Sequence, residues 1–92
     1  MNPAIVISAS DNVATALEAL EPGAIIHVGD VSLTVVDRIP RGHKVALDPI
    51  ACGDRVVKYG SAIGTASADI ARGAHVHTHN VASTRGRGDL RT

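Results

Sequence analysis

Apolar positions in this chain come in short runs rich in Val and Ile, cut apart by turns that carry glycine or proline, which is a strand-and-turn pattern. Ile5-Val6-Ile7 reads as a first short strand. Ser8 to Asn12 then offers capping side chains ahead of Val13, Ala16, Leu17 and Leu20, which share one face at helical spacing. A short helix is predicted there, stopped by Pro22-Gly23. Ile25 to Val28 and Val31 to Val36 read as two strands around Gly29-Asp30, a two-residue hairpin turn. The remainder reads as strand and turn, so the expected class is mainly β with one short helix near the N-terminus.

A pattern of apolar residue, two residues, glycine, two residues, apolar residue recurs. It runs Ile39-Pro40-Arg41-Gly42-His43-Lys44-Val45, Ile50-Ala51-Cys52-Gly53-Asp54-Arg55-Val56 and Ile70-Ala71-Arg72-Gly73-Ala74-His75-Val76, with a weaker copy at Leu20-Glu21-Pro22-Gly23-Ala24-Ile25-Ile26. Each copy reads as an apolar anchor, a turn whose glycine tolerates positive φ, and the start of a strand. The unequal spacing argues against a solenoid, which needs a fixed period. It suggests a folded-over β architecture instead.

Composition narrows the reading. The 92 residues suffice for one domain, which at this size buries only about 60–65% of its unfolded surface. Tyr59 is the only aromatic residue, so the core is aliphatic and a partner chain would supply missing burial. Formal charge is zero and the basic residues are spread along the chain until Arg85, Arg87 and Arg91, which argues against a nucleic-acid binder. A single cysteine, Cys52, and no basic-then-apolar leader point to a cytoplasmic protein, and no apolar run approaches the roughly 20 residues that span a bilayer. One domain over 1–82 and an Arg/Gly-rich tail over 83–92, flexible on its own, are expected. Arg87-Gly88-Asp89 in that tail spells an adhesion tripeptide, which is too short to carry weight.

The chemistry concentrates in His75-Val76-His77-Thr78-His79-Asn80. As a strand, this tract would put His75, His77 and His79 on one face. Imidazole binds Fe, Mn, Zn and Ni and also transfers protons near neutral pH. Same-face strand residues lie about 7 Å apart, so three ligands on one ion would require the strand to bend. The spacing leaves open a plainer reading, a polar face on an edge strand. His43-Lys44 follows the Gly42 turn and Lys58-Tyr59-Gly60 ends a strand-like run; Lys could hold a carboxylate, and His or Tyr could move a proton. Taken singly, these read first as surface or turn residues, Asp11-Asn12 as a helix cap, and Cys52 as a small turn residue. His27 takes no role. There is no phosphate-binding glycine loop, zinc cysteine pair or serine-nucleophile motif.

In order along the chain, Asp11-Asn12-Val13-Ala14, Ile39-Pro40-Arg41-Gly42-His43-Lys44, Val57-Lys58-Tyr59-Gly60, Ile63-Gly64 and His75-Val76-His77-Thr78-His79-Asn80 resemble the N-terminal SAF domain of the altronate and galactarate dehydratase family. The same residues are similar to the small subunit of sulfolactate sulfo-lyase. The resemblance covers about Ile5 to Val81 and implies a SAF-like β-clip fold. It also implies a carbon–oxygen lyase that dehydrates a sugar acid to a 2-keto-3-deoxy acid using Fe(II) or Mn(II). This chain would be a small subunit acting with a large catalytic one; whether it also forms a homo-oligomer stays open. Carried over, it marks His43, Lys44, Lys58, Tyr59 and Asn80 as catalytic-edge residues and His75, His77 and His79 as the metal set, with Asp11 and Asn12 contributing. Sulfolactate cleavage and a non-catalytic carbohydrate-binding or assembly module are the alternatives.

Overall fold

In the computed structural model, which describes residues 3–6, 8 and 10–83, the β-branched runs form strands and the recurring glycines form the turns between them. The strands are β1 (Ala4–Ile5), β2 (Val13–Ala16), β3 (Ile25–Val28), β4 (Val31–Thr34), β5 (Lys44–Ala46), β6 (Arg55–Lys58), β7 (Ser61–Ala66), β8 (His75–Val76) and β9 (Val81–Ser83). They make one sheet in the order β1-β2-β5-β8, a two-stranded ribbon β3-β4 and a three-stranded sheet β6-β7-β9, with antiparallel pairing throughout. The expected tail lies, beyond Ser83, outside the described residues.

The expected helix is absent from the described residues. Val13–Ala16 is instead a strand, paired to Ala4–Ile5 on one side and to Lys44–Ala46 on the other. Eight residues are too few to hold a helix alone, and Val13 and Thr15 are β-branched. As a central strand the same segment buries Val13, Ala14 and Ala16 together, whereas Leu17 of the supposed apolar face stays 46% exposed. Tertiary pairing outweighs local propensity here.

The recurring motif finds its meaning in pairing. Leu20 and Ile39 exchange backbone hydrogen bonds of 2.8 Å in each direction, and Ile50 and Ile70 do the same at 2.8 and 2.7 Å. The four copies therefore pin the bases of two hairpins, β3–β4 and β6–β7. All four anchors are buried, and Gly23, Gly42, Gly53 and Gly73 all have φ between +85° and +93°. The chain thus contains the same unit twice. Gly23 N donates to Val35 O and Gly53 N to Ala66 O, while Gly42 N donates to Ala16 O and Gly73 N to Ala46 O, each pair an equivalent bond in the two units. Each unit has its own aliphatic core, one around Leu20, Ile26, Leu33 and Ile39, the other around Ile50, Val56, Ile70 and Val76.

The two hairpins differ in register. In β3–β4 the register is regular from Ile25↔Thr34 to Val28↔Val31 around Gly29-Asp30, the turn the sequence predicts. In β6–β7, Val56 faces Gly64 but Val57 faces Ala62, leaving Ile63 as the extra residue of a β-bulge. The turn is Tyr59-Gly60, with φ of 57° and 75°, the left-handed pair that suits the twist of a two-residue hairpin. A tyrosine there is strained by about 1–2 kcal/mol.

Candidate functional site

The imidazoles meet where the two units join. β5 and β8 are neighbours, Lys44 facing Val76 and Val45 facing His75. His43, which enters β5 from the Gly42 turn, is thereby set beside the histidine tract. The tract is a strand only through Val76 and then turns, so the predicted three-histidine strand face does not form. Asn80 makes the bend. Its Oδ1 accepts from His77 N at 3.0 Å, its Nδ2 donates to His75 O at 2.8 Å, and its backbone N–H donates to His77 O at 3.1 Å. Asn80 shapes the loop through backbone contacts.

After that bend, His43 Nδ1 and His75 Nε2 lie 2.8 Å apart in a hydrogen bond, so one of the two nitrogens carries the proton and the other accepts it. His43 and His77 stack with centroids 3.6 Å apart and planes 9° from parallel, and His79 leans on His75 at 4.8 Å and 36°. One ligand nitrogen each from His43, His75 and His77 falls within 4.8 Å of the others, and all three side chains are half-buried. His79 lies outside that triplet and His43 takes the third place.

Burial and neighbouring charge disfavour the protonated forms of His75 and His77. Partial burial first, then the neighbouring His79, His43 and His77, hold His75 below the usual imidazole range, with Asp37 opposing them. Asp37 Oδ2 accepts a 3.0 Å bond from His75 N. Burial, then His43, Lys44 and His79, push His77 down as well. Neutral imidazoles present lone pairs, which both a metal ligand and a general base require.

Lys44 stands beside the cluster on β5, half-buried, its ammonium pushed below the ordinary range by burial and then by the nearby positive charge of Lys58. A cleft of about 170 Å³ opens there, lined by Lys44, His77 and Thr78 and by the apolar Ile63, Val76 and Val81. Tyr59 is 57% exposed, and Lys58 Nζ lies 4.7 Å from its ring centroid.

Asp11 and Asn12, expected to cap a helix, clamp the β6–β7 hairpin. Asn12 Oδ1 accepts from Val57 N at 2.7 Å, and its Nδ2 donates to Arg55 O at 2.8 Å. Asp11 is buried; its Oδ1 accepts from Gly60 N at 2.7 Å and its Oδ2 from Ser8 N at 3.2 Å. These bonds hold the tip that carries Lys58 and Tyr59. Sequence reasoning missed Asp37 and the cleft residues Ile63 and Thr78. Ile63 and Thr78 stand inside the motifs but took no site role, and the places of Asp37 and Ile63 depend on contacts distant in sequence.

Three imidazoles form a borderline-soft donor set suited to Fe, Mn or Zn. Two nitrogens on one ion at about 2.1 Å are at most about 4.2 Å apart, so the triplet at 4.8 Å is within a ring rotation of closing. Because His43 and His77 stack nearly parallel, one of the two rings must turn for their lone pairs to converge. The residues fit a divalent ion in type and reach.

This mainly-β domain, which gathers histidines from two halves of a duplicated unit beside a cationic cleft, has lyases among its relatives. The chain belongs to the altronate/galactarate dehydratase SAF domain family, whose pattern matches residues 2–84. It is 48% identical over 80 residues to altronate dehydratase of Bacillus subtilis (strain 168), and 51% identical over 76 residues to altronate dehydratase of Escherichia coli (strain K12). Those matches cover 87% and 83% of this chain but only 16% and 15% of the two enzymes. It is also 48% identical over 56 residues to (2R)-sulfolactate sulfo-lyase subunit alpha of Paracoccus pantotrophus, covering 61% of this chain and 84% of that subunit. The matched segment is thus part of a larger chain in the dehydratases and most of a separate subunit in the sulfo-lyase. No helix among the described residues is long and apolar enough to cross a membrane.

Proposed function

We propose that this chain is the SAF portion of a metal-dependent sugar-acid dehydratase of the altronate type, working with a large catalytic body to convert a hydroxy acid to a 2-keto-3-deoxy acid. The observation that carries the reading is the imidazole triplet, His43, His75 and His77, set against the cleft headed by Lys44. The 83–87% coverage of this chain by altronate dehydratases supports it.

Elimination removes the proton on the carbon beside the carboxylate, breaks the neighbouring C–O bond and releases water; the enol left behind tautomerises to the 2-keto acid. Lys44, with Lys58 near it, supplies positive charge for the carboxylate, which draws electron density from that C–H bond as it breaks. An Fe(II) or Mn(II) ion held by His43, His75 and His77 would supply Lewis-acid stabilisation of the charge that develops on the carboxylate and hydroxyl oxygens. His79, exposed and outside the triplet, is the imidazole free to carry a proton to the departing hydroxyl. Asn80 and Asp37 hold the loop and strand that present these rings.

The test uses the chain together with its catalytic body, in one polypeptide or as a co-expressed pair, assayed for 2-keto-3-deoxy acid from a panel of sugar acids with Fe(II) or Mn(II). Activity that a chelator removes, and that falls more than tenfold on replacing His77 and His79 together by Ala, is expected. Near-normal turnover of that double variant would sink the assignment.

The 84% coverage of the sulfo-lyase alpha subunit favours a second reading, in which sulfite replaces water as the leaving group. Sulfite release from sulfolactate, without dehydration of any sugar acid, selects it.

A further inference from the structure

The internal duplication provides a comparison within one molecule. Leu20, Gly23 and β3 match Ile50, Gly53 and β6 at a separation of thirty residues, whereas Ile39 and Gly42 match Ile70 and Gly73 at thirty-one. The additional residue in the second unit is the bulged Ile63. Its insertion changes what the hairpin presents. At the position where the first hairpin puts Leu33, 2% exposed in its own core, the second has Gly64. A side chain on Gly64 would collide with the Ala82 carbonyl and come within 2.7 Å of Val81 Cγ1, so the glycine is what lets β9 lie against β7. Val81, brought in by that contact, and Ile63, offset by the bulge, both line the cleft beside Lys44 and His77.

The first unit shows what happens without these changes. The residues equivalent to Lys44 and His77 are Ala14 and Ala46, which are 1% and 0% exposed and buried in the first and the second core respectively. The bulge and the glycine thus accompany an opening where the other unit is filled. Bulges commonly re-aim a side chain beside a binding site.

We infer that Ile63 is a specificity-determining residue: placed by a β-bulge that the first hairpin lacks, it walls the Lys44 cleft and its bulk sets how large a carboxylate the cleft admits. The inference rests on the reading of that cleft as a carboxylate site. At about 170 Å³ the cleft is smaller than the roughly 300–1,000 Å³ of a typical ligand pocket. It takes the carboxylate end of a hydroxy acid, with Ile63 bounding the space left for the following carbons.

The test is an NMR titration of the full chain, in chelator-treated buffer, with lactate and with gluconate, hydroxy acids of equal charge and different length. Amide shifts of Lys44, His77 and Thr78 report binding, and the rest of the spectrum reports the fold. The Ile63→Ala chain is expected to change the ratio of the two affinities at least fivefold in favour of gluconate, and Ile63→Phe to move it the opposite way. Lys44→Met is expected to weaken both ligands at least tenfold. Should the ratio stay fixed in both Ile63 variants while Lys44→Met abolishes binding, the inference is wrong and the carboxylate reading stands. If the unaltered chain binds neither acid, or Lys44→Met leaves binding intact, the carboxylate reading fails and the inference falls with it.

Discussion

Gly42 and Gly73 occupy equivalent turns in the two units, with φ of +86° and +85°, yet alanine should be far worse at one than at the other. An L-residue in that conformation costs about 1–2 kcal/mol, offset in part because alanine stiffens the unfolded chain. At Gly42 nothing lies within 4 Å of the added Cβ, so this backbone effect is the whole cost, about 1–2 kcal/mol. At Gly73 the Cβ would collide with the Thr34 carbonyl oxygen and sit 3.2 Å from Leu33 Cδ1. The obstacle is backbone and cannot swing away. Relief requires moving the Gly73 turn from β4, which threatens the bonds from Val36 N to Gly73 O at 2.9 Å and from Gly73 N to Ala46 O at 2.8 Å. Two weakened hydrogen bonds at about 0.5–1.5 kcal/mol each, with disturbed packing of Leu33, bring the expected total to about 3–5 kcal/mol. Urea unfolding followed by far-UV circular dichroism measures both variants. Gly73→Ala should exceed Gly42→Ala by about 2 kcal/mol or more, a further drop in Tm of about 8 °C or more for a domain of this size. Equal losses would refute the argument that Gly73 is required for close approach of the two units.

Replacing Asn12 by Ala removes two side-chain bonds to β6 and should cost about 1–3 kcal/mol in the same urea assay. Asn12→Asp keeps the acceptor but turns a second oxygen toward the Arg55 carbonyl, so it should be no milder; a neutral effect of both would remove the clamp from consideration. The depressed His75 and His77 set a pH dependence: as pH falls, the unfolded chain binds protons before the folded one does. Stability in chelator-treated buffer should therefore be full above about pH 6.5, and decline below it as pH falls through the lowered folded values. The double variant His75→Ala, His77→Ala should flatten that slope between pH 7 and 5; an unaltered slope would show that other groups cause it.

Much of this molecule is legible in the sequence because its signals are local. The β-branched runs, the Gly29-Asp30 turn and the glycine-centred motif state their conformations through steric limits on φ and ψ, and the β3–β4 hairpin and the strands that follow Gly42, Gly53 and Gly73 are where the pattern puts them; of the expected Ile5-Val6-Ile7 strand, β1 includes only Ile5, and Ile7 lies outside the described residues. The five ordered motifs identify the family. The tract from Val13 to Leu20 is where local signal misleads. Its helical spacing and capping residues are real, but a strand flanked on both sides buries more of it, and only the neighbours β1 and β5 can decide that.

The candidate site is divided in the same way. Chain order announces imidazoles at His75, His77 and His79, since alternation is a local property. That His43 joins His75 and His77 in place of His79 follows from the β5–β8 pairing and from the bend Asn80 makes after Val76. The paired roles of the recurring motif, the grip of Asp11 and Asn12 on a hairpin more than forty residues away, and the bulge at Ile63 likewise exist only after distant segments meet. By itself the sequence determined which residues turn, which extend and which family they belong to. Tertiary structure alone decided which of them touch, because register and strand order depend on the burial of the whole chain at once.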